Sequence, residues 1–413
     1  MEAKAFEEYG EMLVELVGLR PRQGLVIKSE PVNWPVLLAI AEAAYRRGAK
    51  YVQPVVESTA LHRVRVENSP EEPLEFVPNS RTAWQEQFVE EGWAIISLKT
   101  PDDPDIYAGI DTERHGKVTT ALRKSDHPWR SKLMNDENQW LIAPAPAARW
   151  AAKVLDSKPS REAQTKLWQL LKPILRLDTA DPAAFWREQS ELLHRRAQIL
   201  NALSLRQLHF EAPGTDLTVG LREEALWTGG ASETPEGVRF MPNIPTEEVF
   251  TAPDRAATEG TVAVTRPVMV LGDLVEGAEF QFEAGRVVAA RAKRGEETLK
   301  RYLEVDEGSR RLGEVALVDG SSPIYRGGYL FYNTLLDENA ACHIALGAAY
   351  PDCLRGGERM SREELSAKGA NQSLQHDDFM IGSESIDVTG IDGQGSPVPI
   401  MKSGMFVLEE VNE

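Results

Sequence analysis

The sequence predicts an α/β N-terminal domain with a mainly parallel sheet, followed by an α+β C-terminal domain that is largely antiparallel. Helical and strand patterns alternate over the first 160 residues, whereas short alternating apolar runs separated by Gly, Pro and Asp dominate from about residue 205. A chain of 413 residues also exceeds the size of most single hydrophobic cores. We therefore expect an N-terminal domain over 1–160, a helical connector over 161–203 and a C-terminal domain over 204–413.

The N-terminal elements follow one another as βαβ units require. The patterns predict a helix over roughly 2–18, the strand GLVIKS, the helix NWPVLLAIAEAAYRRGA, the strand YVQPVVES, a helix over about 82–91 and the strand WAIISLK. Neither GxGxxG nor GxxxxGK[ST] follows any of these strands. The dinucleotide and P-loop interpretations therefore lack the glycine-rich cradle that holds phosphate.

The middle of the chain is helical in pattern and the remainder is rich in strands. The helical segments are REAQTKLWQLLKPIL and AAFWREQSELLHRRAQILNAL, and the Asp-Pro before the second marks a helix start. His194 lies in the second segment among Arg and Glu, which favours a solvated helix face. The predicted strands that follow are LTVGL, GTVAVTRPVMVLG, EFQFEAGRVVAARA and GEVALVDG.

Composition excludes several classes of function. The formal net charge is −18, so the protein repels nucleic acid and anionic membrane surfaces, and we expect no nucleic-acid partner. No run approaches the roughly 18 consecutive apolar residues that a membrane helix needs. The first residues, MEAKAFEEYGEMLVEL, are acidic where a signal peptide is basic and then apolar. A cytoplasmic protein without a membrane partner is the expectation.

The two cysteines limit which metal sites are available. Cys342 and Cys353 are eleven residues apart and form no CxxC motif. This excludes a disulfide framework and a thiolate zinc site of the usual spacing. Any bound metal must therefore be held by carboxylate oxygens and imidazole nitrogens.

The stretch QHDDFMIG sets a histidine and two aspartates against an apolar run that ends in glycine. If it is a strand, alternation directs His376 and Asp378 to one face and Asp377 to the other. Two ligand types then share one face of a rigid element, as a metal site requires. The alternative is that His376 and Asp378 only hydrogen-bond to each other at a strand end.

Two further places carry acidic side chains at the ends of patterned elements. MPNIPTEEVFTAPD puts Glu247 and Glu248 before a short apolar pair, and spacing alone does not choose between them. RRLGEVALVDG puts Glu314 at the head of a strand. A glutamate that heads a strand is usually solvated, so neither place identifies a site by itself.

The stretch NTLLDENAACHIALGAAYPD is predicted to be a helix. His343 and Tyr350 are seven residues apart in it and would share a face. Glu338 lies about 140° away from His343 on an ideal helix and would join the same site only from the frayed first turn. The alternative is that His343 is a core histidine and that Tyr350 stacks at a helix end.

Taken together, these side chains have the chemistry of a two-metal centre. Four carboxylates bring a charge of −4, which two divalent cations would neutralise, and with two imidazoles they suit Zn, Co or Mn. Six ligands for two metals leave positions open for water and substrate, as hydrolysis requires. The candidate ligands are Glu248, Glu314, Glu338, His343, His376 and Asp378.

Four stretches, in this order, resemble the M29 metalloaminopeptidases, the thermophilic aminopeptidase family of bacteria. They are NIPTEEVFTAPD, RLGEVALVD, LLDENAACHIALGAAYP and HDDFMIGS, and APGTDLTVGL and SKLMNDENQWLIAPAPAARWA are similar to the family as well. The resemblance implies an aminopeptidase with two metals per chain, broad specificity that includes leucine-like residues, and a cytoplasmic homodimer. It also implies that the metal ligands are Glu248, Glu314, Glu338, His343, His376 and Asp378, in a C-terminal catalytic domain, and that Tyr350 is the active-site tyrosine.

The mechanism expected from this resemblance uses a metal-activated water to attack the first peptide bond of a chain with a free α-amino group. Tyr350 would help to stabilise the oxyanion, and Glu314 or Glu338 would carry the proton to the leaving amine. Two alternatives stay open. One is a two-metal phosphoesterase, for which Arg310 and Arg311 are the nearest cations in the sequence, and the other is a non-catalytic binding module that metal stabilises.

Overall fold

The structure is a computed structural model, and it describes residues 2–408. The helices are α1 (Glu2–Leu16), α2 (Trp34–Arg46), α3 (Thr59–Asn68), α4 (Asn79–Glu90), α5 (Thr112–Met134), α6 (Ala148–Val154), α7 (Arg161–Ile174), α8 (Pro182–Leu203), α9 (Glu296–Leu303), α10 (Pro323–Gly327), α11 (Thr334–Asp337) and α12 (Arg362–Ala367). The first ten strands are β1 (Gly24–Ser29), β2 (Tyr51–Val56), β3 (Ala94–Lys99), β4 (Trp140–Pro144), β5 (Gln207–Ala212), β6 (Thr215–Leu221), β7 (Ser232–Glu233), β8 (Arg239–Phe240), β9 (Glu248–Thr251) and β10 (Pro253–Ala263). The others are β11 (Val268–Val270), β12 (Asp273–Val275), β13 (Glu279–Glu283), β14 (Arg286–Arg291), β15 (Leu312–Val318), β16 (His343–Gly347), β17 (His376–Met380), β18 (Asp387–Ile391), β19 (Pro397–Lys402) and β20 (Met405–Phe406).

The described residues divide into two compact units. One contains residues 2–187 and 231–245, and the other contains residues 188–230 and 246–408. The three predicted segments, 1–160, 161–203 and 204–413, are each continuous in sequence and stay a prediction.

The first unit contains a parallel four-stranded sheet in the order β2-β1-β3-β4. β1 is buried along its whole length, which explains why GLVIKS is a nearly continuous apolar run rather than an alternating one. The helix–strand alternation predicted for this part is confirmed, and each predicted element lies within a few residues of its expected bounds.

Helix starts follow the capping residues in the sequence. Ser160 accepts a hydrogen bond from the Ala163 N–H at 3.0 Å and begins α7. Asp181 accepts one from the Ala184 N–H at 2.8 Å, just before Pro182 begins α8. The Asp-Pro signal therefore predicted this helix start correctly. His194 lies on α8 and is half-buried.

The second unit contains two larger antiparallel sheets and the two-stranded antiparallel pair β11-β12. An eight-stranded sheet has the order β14-β13-β10-β6-β5-β18-β19-β20, and a four-stranded sheet has the order β17-β16-β15-β9. One hydrophobic cluster includes Phe210 and Val219 from the larger sheet and Leu317, Ile344 and Phe379 from the smaller one. The prediction of a largely antiparallel C-terminal part is confirmed.

The helix predicted for NTLLDENAACHIALGAAYPD is wrong. Only Thr334–Asp337 is α-helical, Glu338–Ala340 forms a 3₁₀ turn, and His343–Gly347 is strand β16. All five residues of β16 are buried, and β16 pairs with β15 on one side and with β17 on the other. A short strand that is buried on both faces is an apolar run, and periodicity alone does not distinguish such a run from a buried helix.

Within 2–408, none of the helices combines the length and the apolar character that a bilayer span requires.

Candidate metal centre

One face of the four-stranded sheet carries five of the predicted ligands. In the sheet register Val318 lies opposite Glu248, Ala316 opposite His343, and Gly347 opposite His376, while Ala345 lies opposite both Glu314 and Asp378. Residues opposite each other, and residues two apart on one strand, point to the same face. The register therefore brings together one side chain from each of β9, β15 and β16 and two from β17, namely Glu248, Glu314, His343, His376 and Asp378.

Small residues separate these ligands on the same face. Ala316 lies beside His343, Ala345 lies between Glu314 and Asp378, and Gly347 lies beside His376. Larger side chains at these three positions would fill the space between the ligands.

The opposite face of the sheet is apolar. Val315, Ile344, Leu346 and Phe379 are fully buried there and belong to the main hydrophobic cluster. Asp377 lies between His376 and Asp378 on β17, and alternation along the strand directs its side chain to this opposite face. The strand interpretation of QHDDFMIG, with His376 and Asp378 on one face and Asp377 on the other, is therefore confirmed.

The ligand atoms form two groups that share Glu314. Its Oε1 lies 3.6 Å from His343 Nε2, and its Oε2 lies 3.3 Å from His376 Nε2. His343 Nε2 also lies 3.2 Å from Glu248 Oε2, and His376 Nε2 lies 3.6 Å from Asp378 Oδ1. Within each group all three donor atoms lie within 4.8 Å of one another, the groups being Glu248, Glu314, His343 and Glu314, His376, Asp378.

Backbone carbonyls orient both imidazoles. His343 Nδ1 lies 3.1 Å from the Ala341 carbonyl oxygen, and His376 Nδ1 lies 2.7 Å from the Ala348 carbonyl oxygen. A carbonyl only accepts, so each Nδ1 carries the proton and donates. Each Nε2 is thereby directed at the carboxylates, in the arrangement by which metal-binding histidines are held.

The electrostatics of the cluster fit divalent cations. Burial, together with the neighbouring Glu314 and Asp378 carboxylates, raises the pKa of Glu248 to about 7. Burial lowers the pKa of His343 and His376, but the hydrogen bonds to Glu314 and the surrounding carboxylates outweigh it and raise both values to about 10. The raised pKa values of both imidazoles reflect the negative charge of the surrounding carboxylates, which bound divalent cations would also neutralise.

Glu314 is the most strongly anionic member of the cluster. Burial would raise its pKa, but hydrogen bonds from His343 and His376 outweigh burial and lower the pKa to about 2. Glu248 Oε2, by contrast, is buried and has no hydrogen-bond partner among the described residues. An orphaned carboxylate oxygen that faces an imidazole nitrogen is a position that a cation would fill.

Glu338 reaches the cluster from the 3₁₀ turn and not from the sheet. It belongs to neither three-residue group, yet burial and the carboxylates of Glu248, Asp378 and Glu314 raise its pKa well above the usual range. Its Oε1 lies 3.5 Å from the side-chain nitrogen of Asn339. Glu338 is therefore a neighbour of the five ligands on the sheet.

Tyr350 stands at the edge of the same cluster. The centres of the Tyr350 and His376 rings are 4.8 Å apart, and Phe250 contacts the tyrosine ring from β9. Burial and the nearby carboxylates, Glu314 first among them, raise the pKa of Tyr350 well above its usual value. The phenol therefore keeps its proton at neutral pH and is able to donate a hydrogen bond.

Two residues that the sequence did not single out hold the 3₁₀ turn in place. The Asn339 side chain accepts a hydrogen bond from the Glu247 N–H at 2.7 Å and donates one to the Leu335 carbonyl at 2.9 Å. Asp337 accepts bonds from the Phe331 and Asn333 N–H groups at 2.8 and 3.1 Å. Asp337 acts on its own loop, whereas the bond from the Glu247 N–H to Asn339 spans 92 residues, so no local pattern signals that contact.

We predict that Ala345→Val removes bound metal without unfolding the protein. Valine suits a strand better than alanine does, but its methyl groups would enter the space between Glu314 and Asp378. Metal content after dialysis, measured by mass spectrometry, is expected to fall well below that of the wild type.

Ile344→Val is the matched control for this prediction. It changes the next residue on the opposite face and costs about 0.5–1.5 kcal/mol of stability. We expect it to retain its metal, and full metal content in Ala345→Val would contradict the proposed crowding.

Comparisons with known proteins agree with this geometry. The family model for the thermophilic metalloproteases, M29, matches residues 2–406. Aminopeptidase 2 of Geobacillus stearothermophilus is 40% identical, and the match covers 98% of each chain. Aminopeptidase T of Thermus aquaticus is 41% identical, over 98% of this chain and 100% of that protein.

A solved structure is similar over the same length. Wild-type AmpT from Thermus thermophilus superimposes with a TM-score of 0.91 and 38% sequence identity, covering 98% of this chain and 99% of that one. The resemblance seen in the sequence motifs and the predicted fold class are both confirmed. The chain belongs to the M29 family of thermophilic metalloproteases and is a metal-dependent hydrolase of peptide bonds.

Proposed function

We propose that the protein is a two-metal aminopeptidase that removes the N-terminal residue from peptides with a free α-amino group. The observation that carries the proposal is Glu314, whose two carboxylate oxygens face the imidazoles of two different ligand groups. A carboxylate in that position suits a bridge between two cations. The names of the relatives, aminopeptidases in each case, support the exopeptidase activity.

The two groups of ligand atoms would assign the residues to two cations. Glu248 and His343 would hold one cation, His376 and Asp378 would hold the other, and Glu314 would bridge them. Glu338 would complete the set from the 3₁₀ turn. When bound, two divalent cations polarise a carbonyl oxygen and lower the pKa of a water molecule, which is the chemistry that peptide hydrolysis needs.

The chain's own residues would position the substrate and move the proton. Tyr350 would donate its phenolic hydrogen bond to the carbonyl oxygen on which negative charge develops. Glu338 is favoured over Glu314 as the residue that carries a proton to the leaving amine, because both oxygens of Glu314 are engaged by imidazoles. The carboxylate-rich pocket would hold the free α-ammonium group.

Other features of the proposal come from the family resemblance. A preference that includes leucine-like residues is supported by apolar side chains near the cluster, Pro267, Val268, Met269 and Met380. The choice among Zn, Co and Mn, the homodimer and the cytoplasmic location stay predictions.

The two alternatives derived from the sequence receive less support. Arg311, the cation nearest Glu314 in sequence together with Arg310, donates to the Arg255 and Ala284 carbonyls and pairs with Glu307. Its guanidinium is thus engaged away from the cluster and does not supply the phosphate contact that a phosphoesterase requires. A non-catalytic binding module conflicts with the membership of a metalloprotease family.

Metal removal and replacement test the proposal. We expect metal-stripped protein to release no nitroaniline from leucine nitroanilide, and Co, Zn or Mn to restore activity up to about two equivalents per chain. The titration is followed by absorbance, and bound metal is measured in parallel by mass spectrometry.

Two control substrates define what is being tested. N-acetyl-leucine nitroanilide lacks the free amine and should stay intact, and nitrophenyl phosphate tests the phosphoesterase alternative. Saturation at one equivalent, or cleavage of the acetylated substrate, would contradict a two-metal exopeptidase.

A further inference from the structure

Strand β17 carries two of the predicted ligands and is an edge strand. Within residues 2–408 it pairs with β16 alone in the four-stranded sheet, and β9 forms the other edge. The side of β17 that faces away from β16 therefore presents backbone groups outside the sheet. Edge strands of this kind accept an additional strand through main-chain hydrogen bonds.

The hydrogen-bond pattern shows which residues face outward. The Ala348 N–H donates to the Gln375 carbonyl at 2.7 Å, and the Ile381 N–H donates to the Cys342 carbonyl at 2.8 Å. The bonded pairs of an antiparallel ladder recur at every second residue, so residues 377 and 379 also bond to β16. The N–H and C=O groups of His376, Asp378 and Met380 therefore point to the free edge.

The β16 side of the ladder agrees with this assignment. Gly347 lies opposite His376, and its N–H donates to the Arg311 carbonyl at 2.9 Å, away from β17. His376 and Gly347 are thus a non-bonded pair.

In the described part of the chain, only one end of this edge has a hydrogen-bond partner. The Met380 carbonyl accepts hydrogen bonds from the Thr265 N–H at 2.8 Å and from its hydroxyl at 3.1 Å. Among residues 2–408, no group bonds to the outward N–H and C=O of His376 and Asp378. Asp378 as a whole residue is only 7% exposed, and buried backbone groups in folded proteins are nearly always hydrogen-bonded.

A cavity lies along this part of the edge. It holds about 70 Å³ of space for water-sized molecules and opens to solvent. Its lining includes His376, Asp378 and Glu338 on one side and the apolar residues Val268 and Met269 on another. The free backbone groups and the proposed metal ligands therefore share one cavity.

We propose that the free edge of β17 at His376 and Asp378 binds the backbone of the peptide substrate as an added strand. This inference rests on the proposed aminopeptidase function and deepens it. The bound peptide would lie about 4.8 Å from β17 and would exchange main-chain hydrogen bonds with Asp378 and His376. The same two residues would thus supply metal ligands from their side chains and peptide contacts from their backbones.

This mode of binding has a consequence for the substrate. In an added strand, N–H groups point toward and away from the edge in alternation. Of two consecutive amides after the scissile bond, one faces β17 and the other faces away. Side-chain identity at these positions matters little, because the contacts are made by the main chain.

The test uses the metal-loaded wild-type enzyme and three peptides. The parent is Leu-Ala-Ala-Ala-NH₂, and the two others carry a single N-methyl group on the amide nitrogen of the third or of the fourth residue. Neither methyl group is on the scissile amide, and each peptide is the matched control for the other. Release of leucine gives kcat/KM, and leucine nitroanilide reports the basal activity.

We expect one N-methyl peptide to lose about tenfold in kcat/KM, the effect of one lost hydrogen bond, while the other stays near the parent. Equal values for all three peptides, or equal losses in both N-methyl peptides, would overturn the added strand. In either case, cleavage of leucine nitroanilide shows that the proposed function still stands. Loss of both the parent and nitroanilide reactions would overturn the proposed function and this inference with it.

Discussion

Glu314→Gln is expected to lose both metals and to lower kcat/KM for leucine nitroanilide by at least about 1,000-fold. Glutamine has nearly the same shape, so the sheet is preserved, but its amide nitrogen cannot ligate a cation. Because the two oxygens of Glu314 face His343 and His376 in different groups, one substitution damages both metal sites. Bound metal is measured by mass spectrometry after dialysis, and turnover by absorbance.

Asp377→Asn is the matched control for this substitution. It also changes a carboxylate to an amide, but on β17 and on the opposite face of the sheet. Asp377 is the sequence neighbour of both His376 and Asp378. We expect it to keep its metal. If Glu314→Gln retained two metals per chain and normal turnover, Glu314 would not be the bridging ligand.

Tyr350→Phe is expected to keep both metals and to lose about 100- to 1,000-fold in kcat, the effect of removing one donor to a developing oxyanion. Removal of the hydroxyl leaves the contact between the ring and His376 in place, so metal binding and the fold should be unaffected. KM should change little, because the donor acts mainly on the transition state. Metal content and steady-state kinetics measured on the same preparation separate these effects.

Tyr325→Phe provides the control for loss of a tyrosine hydroxyl. The Tyr325 oxygen accepts a hydrogen bond from the Glu384 N–H at 3.1 Å, outside the metal centre. Its removal should cost a little stability and no turnover. Normal kcat in Tyr350→Phe would exclude the tyrosine from catalysis, whereas loss of metal would make it a structural support.

Local sequence was sufficient to predict the structure wherever a single strand or a single helix cap determines it. His376 and Asp378 are two apart, so a strand places them on one face whatever surrounds it. The Asp-Pro before α8 and the alternation of the N-terminal elements are signals of the same kind. They depend on backbone geometry, which is local.

The helix predicted around His343 failed where local information ends. Apart from His343, AACHIALG is an apolar run, and it becomes β16 because β15 and β17 supply hydrogen bonds on both sides. His343 was expected to face the candidate ligands from a helix that it shared with Tyr350. It faces them from strand β16 instead. Its register against Ala316 puts it on the ligand face of the sheet.

The sequence by itself determined the fold class, the family and the set of candidate residues, because periodic patterns and motifs can be recognised in the linear sequence. Only the tertiary structure decided that Glu314 lies between two imidazoles and that Asn339 ties the turn bearing Glu338 to the Glu247 N–H. It also decided that, within residues 2–408, the edge of β17 at His376 and Asp378 is free. Each of these depends on strand register or on contacts between residues far apart in the chain. Such contacts form only when the chain has folded, and for this reason no local pattern predicts them.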